Sequence, residues 1–234
     1  MSYVALLKPI LIRIICYNSI MQKAIIFDLD GVVVDTERSV WHESSVKLLL
    51  RYNKKFDVTK VGHLLYGAKF EDATRSLYDF YKIEDSFENF LRNRRELVRK
   101  GFAENVTVMA GFYEFYKRID GRKKAIATSM DNEFLTLTLN HLPLTDLFGQ
   151  HIYTIAQSGG RGKPHPDIFL YAAKMIDQKP EDCVVIEDAP KGIEAAKSAG
   201  MRAIGLATSV SKEHLSKADY IVNSFSELTE DMLA

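Results

Sequence analysis

The sequence predicts an α/β fold, a parallel-sheet core with an all-helical block inserted after its first strand. Two changes of hydrophobic periodicity carry that prediction. From Thr36 to about Lys100 apolar residues recur at helical spacing, as in Val61, Leu64 and Leu65 or Phe87, Phe90, Leu91 and Leu97, and no strand is evident. From about Val106 short apolar runs at 124–128, 152–155, 183–187, 202–206 and 220–222 alternate with helical patterns near 111–119, 132–141, 166–177, 190–199 and 211–217. Strands separated by helices imply parallel neighbours with right-handed crossovers, so 21–36 and 105–234 form one discontinuous core and 37–104 a helical cap.

A chain of 234 residues, 47% hydrophobic, is long enough for such a core and a smaller companion. Its 31 basic and 31 acidic side chains cancel, which argues against nucleic-acid or membrane-surface binding and requires any anion site to be local. Two cysteines, Cys16 and Cys183, are too few for a disulfide framework and suit a reducing, cytoplasmic setting. Residues 1–20 read as a peripheral extension. Their apolar stretches at 4–7 and 10–15 are interrupted by Lys8, Pro9 and Arg13, short of the roughly 20 apolar residues of a membrane helix and unlike a signal-peptide centre. Met21 directly precedes the first convincing strand and is a candidate start.

Polar chemistry gathers at the strand ends. Ala24, Ile25 and Ile26 run into Phe27, Asp28, Leu29, Asp30 and Gly31, which places two carboxylates at the carboxyl end of a buried strand, where open α/β sheets hold ligands. Side chains two apart in extended chain face the same side, so Asp28 and Asp30 can share a pocket while Gly31 lets the backbone turn. The run Ala125, Ile126, Ala127 ends in Thr128 and Ser129 before a helix opening near Asp131. Hydroxyls there suit an oxyanion, and capping of the helix explains Ser129 or Asp131 equally well.

Further on, Gly162, Lys163, Pro164, His165 and Pro166 form a rigid turn ahead of a helix. The glycine-rich stretch 159–163 is not a P-loop, because Pro164 stands where Ser or Thr is required and Gln157 takes the leading glycine position. The strand Val184, Val185, Ile186 ends in Glu187 and Asp188, acids that also suit the dipole of the following helix.

Taken in order, Asp28-Leu29-Asp30-Gly31, Thr128, Lys163 and the pair Glu187, Asp188 resemble the four motifs of the haloacid dehalogenase-like (HAD) superfamily, and the resemblance runs from about Met21 to Ala234. The helical block after the first motif is similar to the cap of the subgroup that includes phosphoglycolate phosphatases and β-phosphoglucomutases. The resemblance implies a Rossmann-like core and a Mg²⁺-dependent aspartyl-phosphate mechanism. It makes Asp28 the nucleophile, and Asp30 the acid and base whose backbone carbonyl also reaches the metal. Asp188 becomes a metal ligand, with Glu187 behind it. Lys163 and Thr128 hold the transferring phosphoryl group, with Ser129 beside them. A cation is also needed electrostatically, since two like charges at about 4 Å repel by roughly 4 kcal/mol at an effective dielectric of 20.

The cap departs from the mutase pattern. Val40 stands where a linker histidine is expected, and Phe70 occupies the place of a cap arginine. Lys69, Glu37 and Arg38 are the remaining substrate-binding candidates, while Trp41 reads as packing. The chain is accordingly expected to be a phosphatase of a small phosphorylated metabolite, of sugar phosphate or phosphoglycolate type, acting as a monomer or weak dimer with no nucleic-acid or membrane partner. A phosphomutase is the alternative. A dehalogenase is disfavoured by Asp30, and a catalytically silent binding protein by the retention of Asp28, Asp30, Thr128, Lys163 and Asp188 together.

Overall fold

The computed structural model describes residues 23–65 and 68–234, so the extension 1–20 and the Met21 start lie outside the described residues. Six strands, β1 (Ala24–Phe27), β2 (Lys124–Thr128), β3 (Ile152–Thr154), β4 (Cys183–Glu187), β5 (Arg202–Leu206) and β6 (Tyr220–Val222), form one sheet in the order β3-β2-β1-β4-β5-β6. Every pairing is parallel. Strands covered on both faces read as continuous apolar runs, and β1 and β4 are buried at every position. One face carries Ile25, Phe27, Ile126, Val184 and Ile186 in a cluster with Phe112, Phe115 and Phe148, and the other carries Ile26, Ala125 and Val185 with Ile168, Phe169 and Ile193.

The order of the sheet decides where a site can form. From β1 the chain builds β2 and β3 to one side, then returns to build β4, β5 and β6 on the other, so the crossovers diverge between β1 and β4 and open a crevice at their carboxyl ends. Phe27 lies level with Ile126 and with Ile186, and the Asp28 amide donates to the Ile186 carbonyl at 3.0 Å. Asp28 therefore leaves β1 beside the ends of both neighbours.

Between β1 and β2 a π-helical turn (Glu37–His42) continues into α1 (Glu43–Leu50), followed by α2 (Val58–Leu65), α3 (Phe70–Tyr81) and the long α4 (Phe87–Asn105). These helices enclose a core of their own, with Leu48, Leu49, Val61, Leu77 and Phe90 at its centre. The chain leaves the sheet and returns to it through two linkers that pair with each other. Val34 and Val108 form an antiparallel bridge, the Asp35 amide donates to Thr107 at 2.9 Å, and the Met109 amide donates to Val33 at 2.9 Å.

The later helices are α5 (Phe112–Arg118), α6 (Asn132–His141), α7 (Leu144–Phe148), α8 (Asp167–Met175), α9 (Pro190–Ser198) and α10 (Glu230–Leu233). Two expectations are corrected. The third strand stops at Thr154, because Gln157 reaches back to the Thr154 amide at 2.8 Å and winds Ile155–Ser158 into a 3₁₀ turn. The helix expected at 211–217 is only a 3₁₀ turn, Lys212–Leu215, in which Leu215 alone is buried. No described helix is long and apolar enough to cross a membrane.

Candidate active site

The first strand delivers Asp28 into the crevice with only 6% of its surface exposed. Lys163, fully buried from the opposite side, donates to Asp28 Oδ1 and, at 2.7 Å, to Glu187 Oε1. Glu187 is in turn fixed through Oε2, which accepts the Ala189 amide at 2.7 Å. Its seat depends on Gly192 in α9, where a Cβ would stand 1.7 Å from Glu187 Oε1. Burial pushes the Asp28 carboxyl up to about 7, against the attraction of Lys163 and with the help of the nearby Glu187 and Asp30 charges. Burial pulls the other way on the Lys163 ammonium, yet Asp28 and Glu187 outweigh it and hold that pKa above its ordinary value.

Asp30 faces the same pocket in a different setting. Its Oδ1 accepts from the Thr36 hydroxyl and, at 3.0 Å, from the Trp41 indole N–H, both on the segment that leads into the cap. Burial raises the Asp30 carboxyl and these two donors moderate the rise, so its pKa stays above the ordinary carboxylate value. Asp188 accepts from Ser209, on the loop after β5, and the neighbouring Thr208 hydroxyl donates to the Gly31 carbonyl at 2.6 Å. Gly31, with φ of +72°, passes so close that a Cβ there would meet Asp188 Oδ2 at 1.9 Å. Glycine at 31 is thus required both by the backbone angle and by the acid beside it.

Among the described residues, the carboxylates of Asp28, Glu187 and Asp188 form a buried group within 4.8 Å of one another. Hard oxygen donors in that arrangement fit a divalent cation such as Mg²⁺. Glu187 has both oxygens engaged, by Lys163 and the Ala189 amide, whereas Asp28 gives one oxygen to Lys163 and Asp188 gives one to Ser209. The Asp30 carboxylate stands outside this group and is held by Thr36 and Trp41, in keeping with a metal role expected only of its backbone carbonyl.

Of the remaining candidates, Ser129 lines the pocket, whereas fully buried Thr128 accepts the Met130 amide at 3.0 Å and so caps the turn before α6. Asp131 makes no side-chain cap to that helix and pairs with Arg95 at 3.2 Å. Lys69 donates to the Gly160 carbonyl, tying the cap to the loop before Lys163. The Glu37 and Arg38 side chains lie outside the described residues. Val40 is buried in the described residues' core, and Phe70 packs in an aromatic group with Trp41 and Phe134 at ring distances of 6.2 and 5.0 Å.

Three participants escaped the sequence reading. Trp41 does pack, against Phe102 and Phe134 as well as Phe70, but its N–H is also a ligand of Asp30. Ser209 carries no pattern that marks it. Arg94 lines the pocket from α4 and is 3% exposed, with its guanidinium 5.1 Å from the Phe70 ring centre and Nη1 bound to Thr74 Oγ1 at 2.8 Å. Its signal was available: Phe90, Leu91, Arg94, Leu97 and Val98 share one helical face, so a cation had been set among apolar positions.

A switch-point crevice floored by an aspartate on a buried lysine, and roofed by helices inserted into the first crossover, defines a capped α/β hydrolase that works through aspartate. The chain belongs to the haloacid dehalogenase-like hydrolase family, whose profile matches residues 22–200. It is 31% identical over 223 residues to the beta-phosphoglucomutase of Bacillus subtilis, spanning 90% of this chain and 93% of that one. Over 184 residues it is 30% identical to the phosphorylated carbohydrates phosphatase of Thermotoga maritima, spanning 78% of this chain and 83% of the relative. A HAD family hydrolase from Deinococcus radiodurans, solved with bound phosphate and sodium, matches at a TM-score of 0.73 and 30% identity, covering 91% of this chain and 95% of that one.

Proposed function

We propose that the protein is a Mg²⁺-dependent phosphatase of a small phosphorylated metabolite, with Asp28 as nucleophile. The observation that carries this reading is the Lys163 ammonium held between Asp28 and Glu187 at the floor of a pocket that also presents Asp30 and Asp188. Lys163 fixes Asp28 through Oδ1, which leaves Oδ2 to attack phosphorus as the bond from phosphorus to the leaving alcohol breaks. Asp30 accepts both its hydrogen bonds on Oδ1, so its proton resides on Oδ2 and passes to the departing oxygen. Asp30, now ionised, takes a proton from water as that water attacks the aspartyl phosphate, which releases inorganic phosphate and regenerates Asp28. Ser129 and Lys163 supply donors to the oxygens of the transferring group. Mg²⁺ held by Asp28 and Asp188 would neutralise the acids and the phosphate dianion that must meet there.

The phosphatase of Thermotoga maritima supports a sugar phosphate as one substrate type. The mutase of Bacillus subtilis keeps a phosphomutase as the second reading, favoured by a cationic side chain, Arg94, in the cap wall of the pocket. A panel of phosphorylated metabolites assayed for phosphate release, with Mg²⁺ and with excess chelator, tests the main reading. Release that requires Mg²⁺ supports it, and undiminished release in chelator defeats it. With β-glucose 1-phosphate and catalytic β-glucose 1,6-bisphosphate, formation of glucose 6-phosphate faster than inorganic phosphate would establish the mutase instead.

A further inference from the structure

We infer that the substrate ends, away from its phosphoryl group, in an aromatic ring or a branched hydrocarbon rather than in a row of hydroxyls. The inference rests on the phosphatase reading and deepens it by naming the class of leaving alcohol. One continuous pocket, about 810 Å³ including its open mouth, runs from Asp28, Asp30 and Asp188 at its floor to Phe56, Val58 and Leu65 in the cap. A ligand whose phosphate is held at the floor lays its other end against those cap residues.

That wall is carbon surface left incompletely covered. Trp41, Phe56, Val58, Leu65 and Ala68 all line the pocket while staying only half-buried, and Phe70 continues the wall inward. Most polar groups of the wall, among the described residues, are spent within the protein. The Trp41 N–H goes to Asp30 at 3.0 Å, and the Ser45 hydroxyl donates to the Trp41 carbonyl at 2.8 Å. Arg94, 3% exposed, donates to Thr74 Oγ1 at 2.8 Å and packs against the Phe70 ring. His42 is exposed and meets the Phe56 ring edge-on, with 5.2 Å between ring centres. A polyol entering here exchanges its hydrogen bonds with water for few others, and each unpaired hydroxyl weakens binding. A ring or branched chain gives up no hydrogen bond and takes the open carbon surface out of water, with Trp41, Phe56 and Phe70 as its aromatic neighbours. Among small phosphorylated metabolites, this sets the ester of an apolar alcohol above a free sugar phosphate.

The test compares four phosphates of primary alcohols, whose leaving oxygens are similar in reactivity: benzyl phosphate and 3-methylbutyl phosphate against glycerol 3-phosphate and glucose 6-phosphate, each with Mg²⁺. In the wild type the better apolar ester is expected to exceed both polyol esters in kcat/KM by about ten- to a hundredfold, chiefly through KM. In Phe56→Asn and Val58→Asn that advantage should shrink by about fivefold. A polyol ester turned over by the wild type as efficiently as the better apolar one would overturn the inference, and so would folded variants that lose equally on all four esters. The wild-type comparison decides even if the variants do not fold. No phosphate release with Mg²⁺ from these esters or from p-nitrophenyl phosphate would instead defeat the phosphatase reading beneath it.

Discussion

Trp41 shows how one donor can set the strength of an acid. Its N–H bond to Asp30 Oδ1 favours the ionised carboxylate, so Trp41→Phe, which keeps the aromatic packing, should raise the Asp30 pKa further. The alkaline limb of the kcat/KM profile, where the acid loses its proton, is then expected to move to higher pH, with kcat falling roughly three- to tenfold as the acid loses one of its two guides. Steady-state rates across pH check both. Asp30→Asn should leave the phosphorylated Asp28 unhydrolysed, visible as a covalent adduct in intact-mass spectrometry.

The raised Asp28 pKa gives a second expectation at this scale. In metal-free protein the folded value of about 7 lies above the ordinary 3.8, so the contribution of Asp28 to stability is fully present below about 3.8 and is lost as pH rises through about 7. A cation ligated by Asp28 competes with the same proton. Mg²⁺ should therefore raise the melting temperature more at pH 8 than at pH 5, and Asp28→Asn should flatten that difference; calorimetry with Mg²⁺ and with chelator measures it.

At the scale of elements, the parallel sheet was legible because its strands are short apolar runs separated by helical patterns, and β1, β2 and β4 end in polar residues with chemistry, as in Phe27 before Asp28 or Ile186 before Glu187. The floor of the site was legible for the same reason: its acids and Lys163 stand at strand or helix ends. Tertiary hydrogen bonds were not. The bonds of Trp41 to Asp30 and of Ser209 to Asp188 depend on how separate segments pack, and no local pattern encodes them. The small elements α7 and α10 were also missed, since four or five residues hold too little periodicity to register.

One glycine links element packing to chemistry in a measurable way. Gly192→Ala would drive a methyl group into Glu187, which must then release Lys163 or displace α9. A loss of about 1–3 kcal/mol in unfolding free energy is expected, together with a larger fall in kcat than in substrate affinity. Denaturant melts and steady-state kinetics on the same preparation test that pairing.

Across the whole molecule, α4 and α6 meet at a charged rim where Arg95 pairs with Asp131 at 3.2 Å and Glu133 at 2.8 Å, and Arg99 with Glu133 at 2.9 Å. These groups are partly exposed and each pair is worth little, but all of them join the helical block to the sheet domain. Salt screens such pairs, so KM should rise with ionic strength in the wild type and less steeply in Glu133→Gln. A KM in Glu133→Gln that tracks salt as steeply as the wild type would remove the rim from any part in closing the pocket.

The paired linkers carry a consequence for how this molecule can change. Asp35 and Thr107 are joined by a hydrogen bond, so the chain between them leaves and re-enters the sheet domain at one point, and the intervening segment can be exchanged as a cassette with little disturbance to the strands. Its boundaries, however, enclose both Trp41 and Arg94. A transplanted cassette would therefore change a wall of the pocket and the donor that holds Asp30 in a single event, so that, on the proposed phosphatase reading, substrate preference and pH optimum are inherited together.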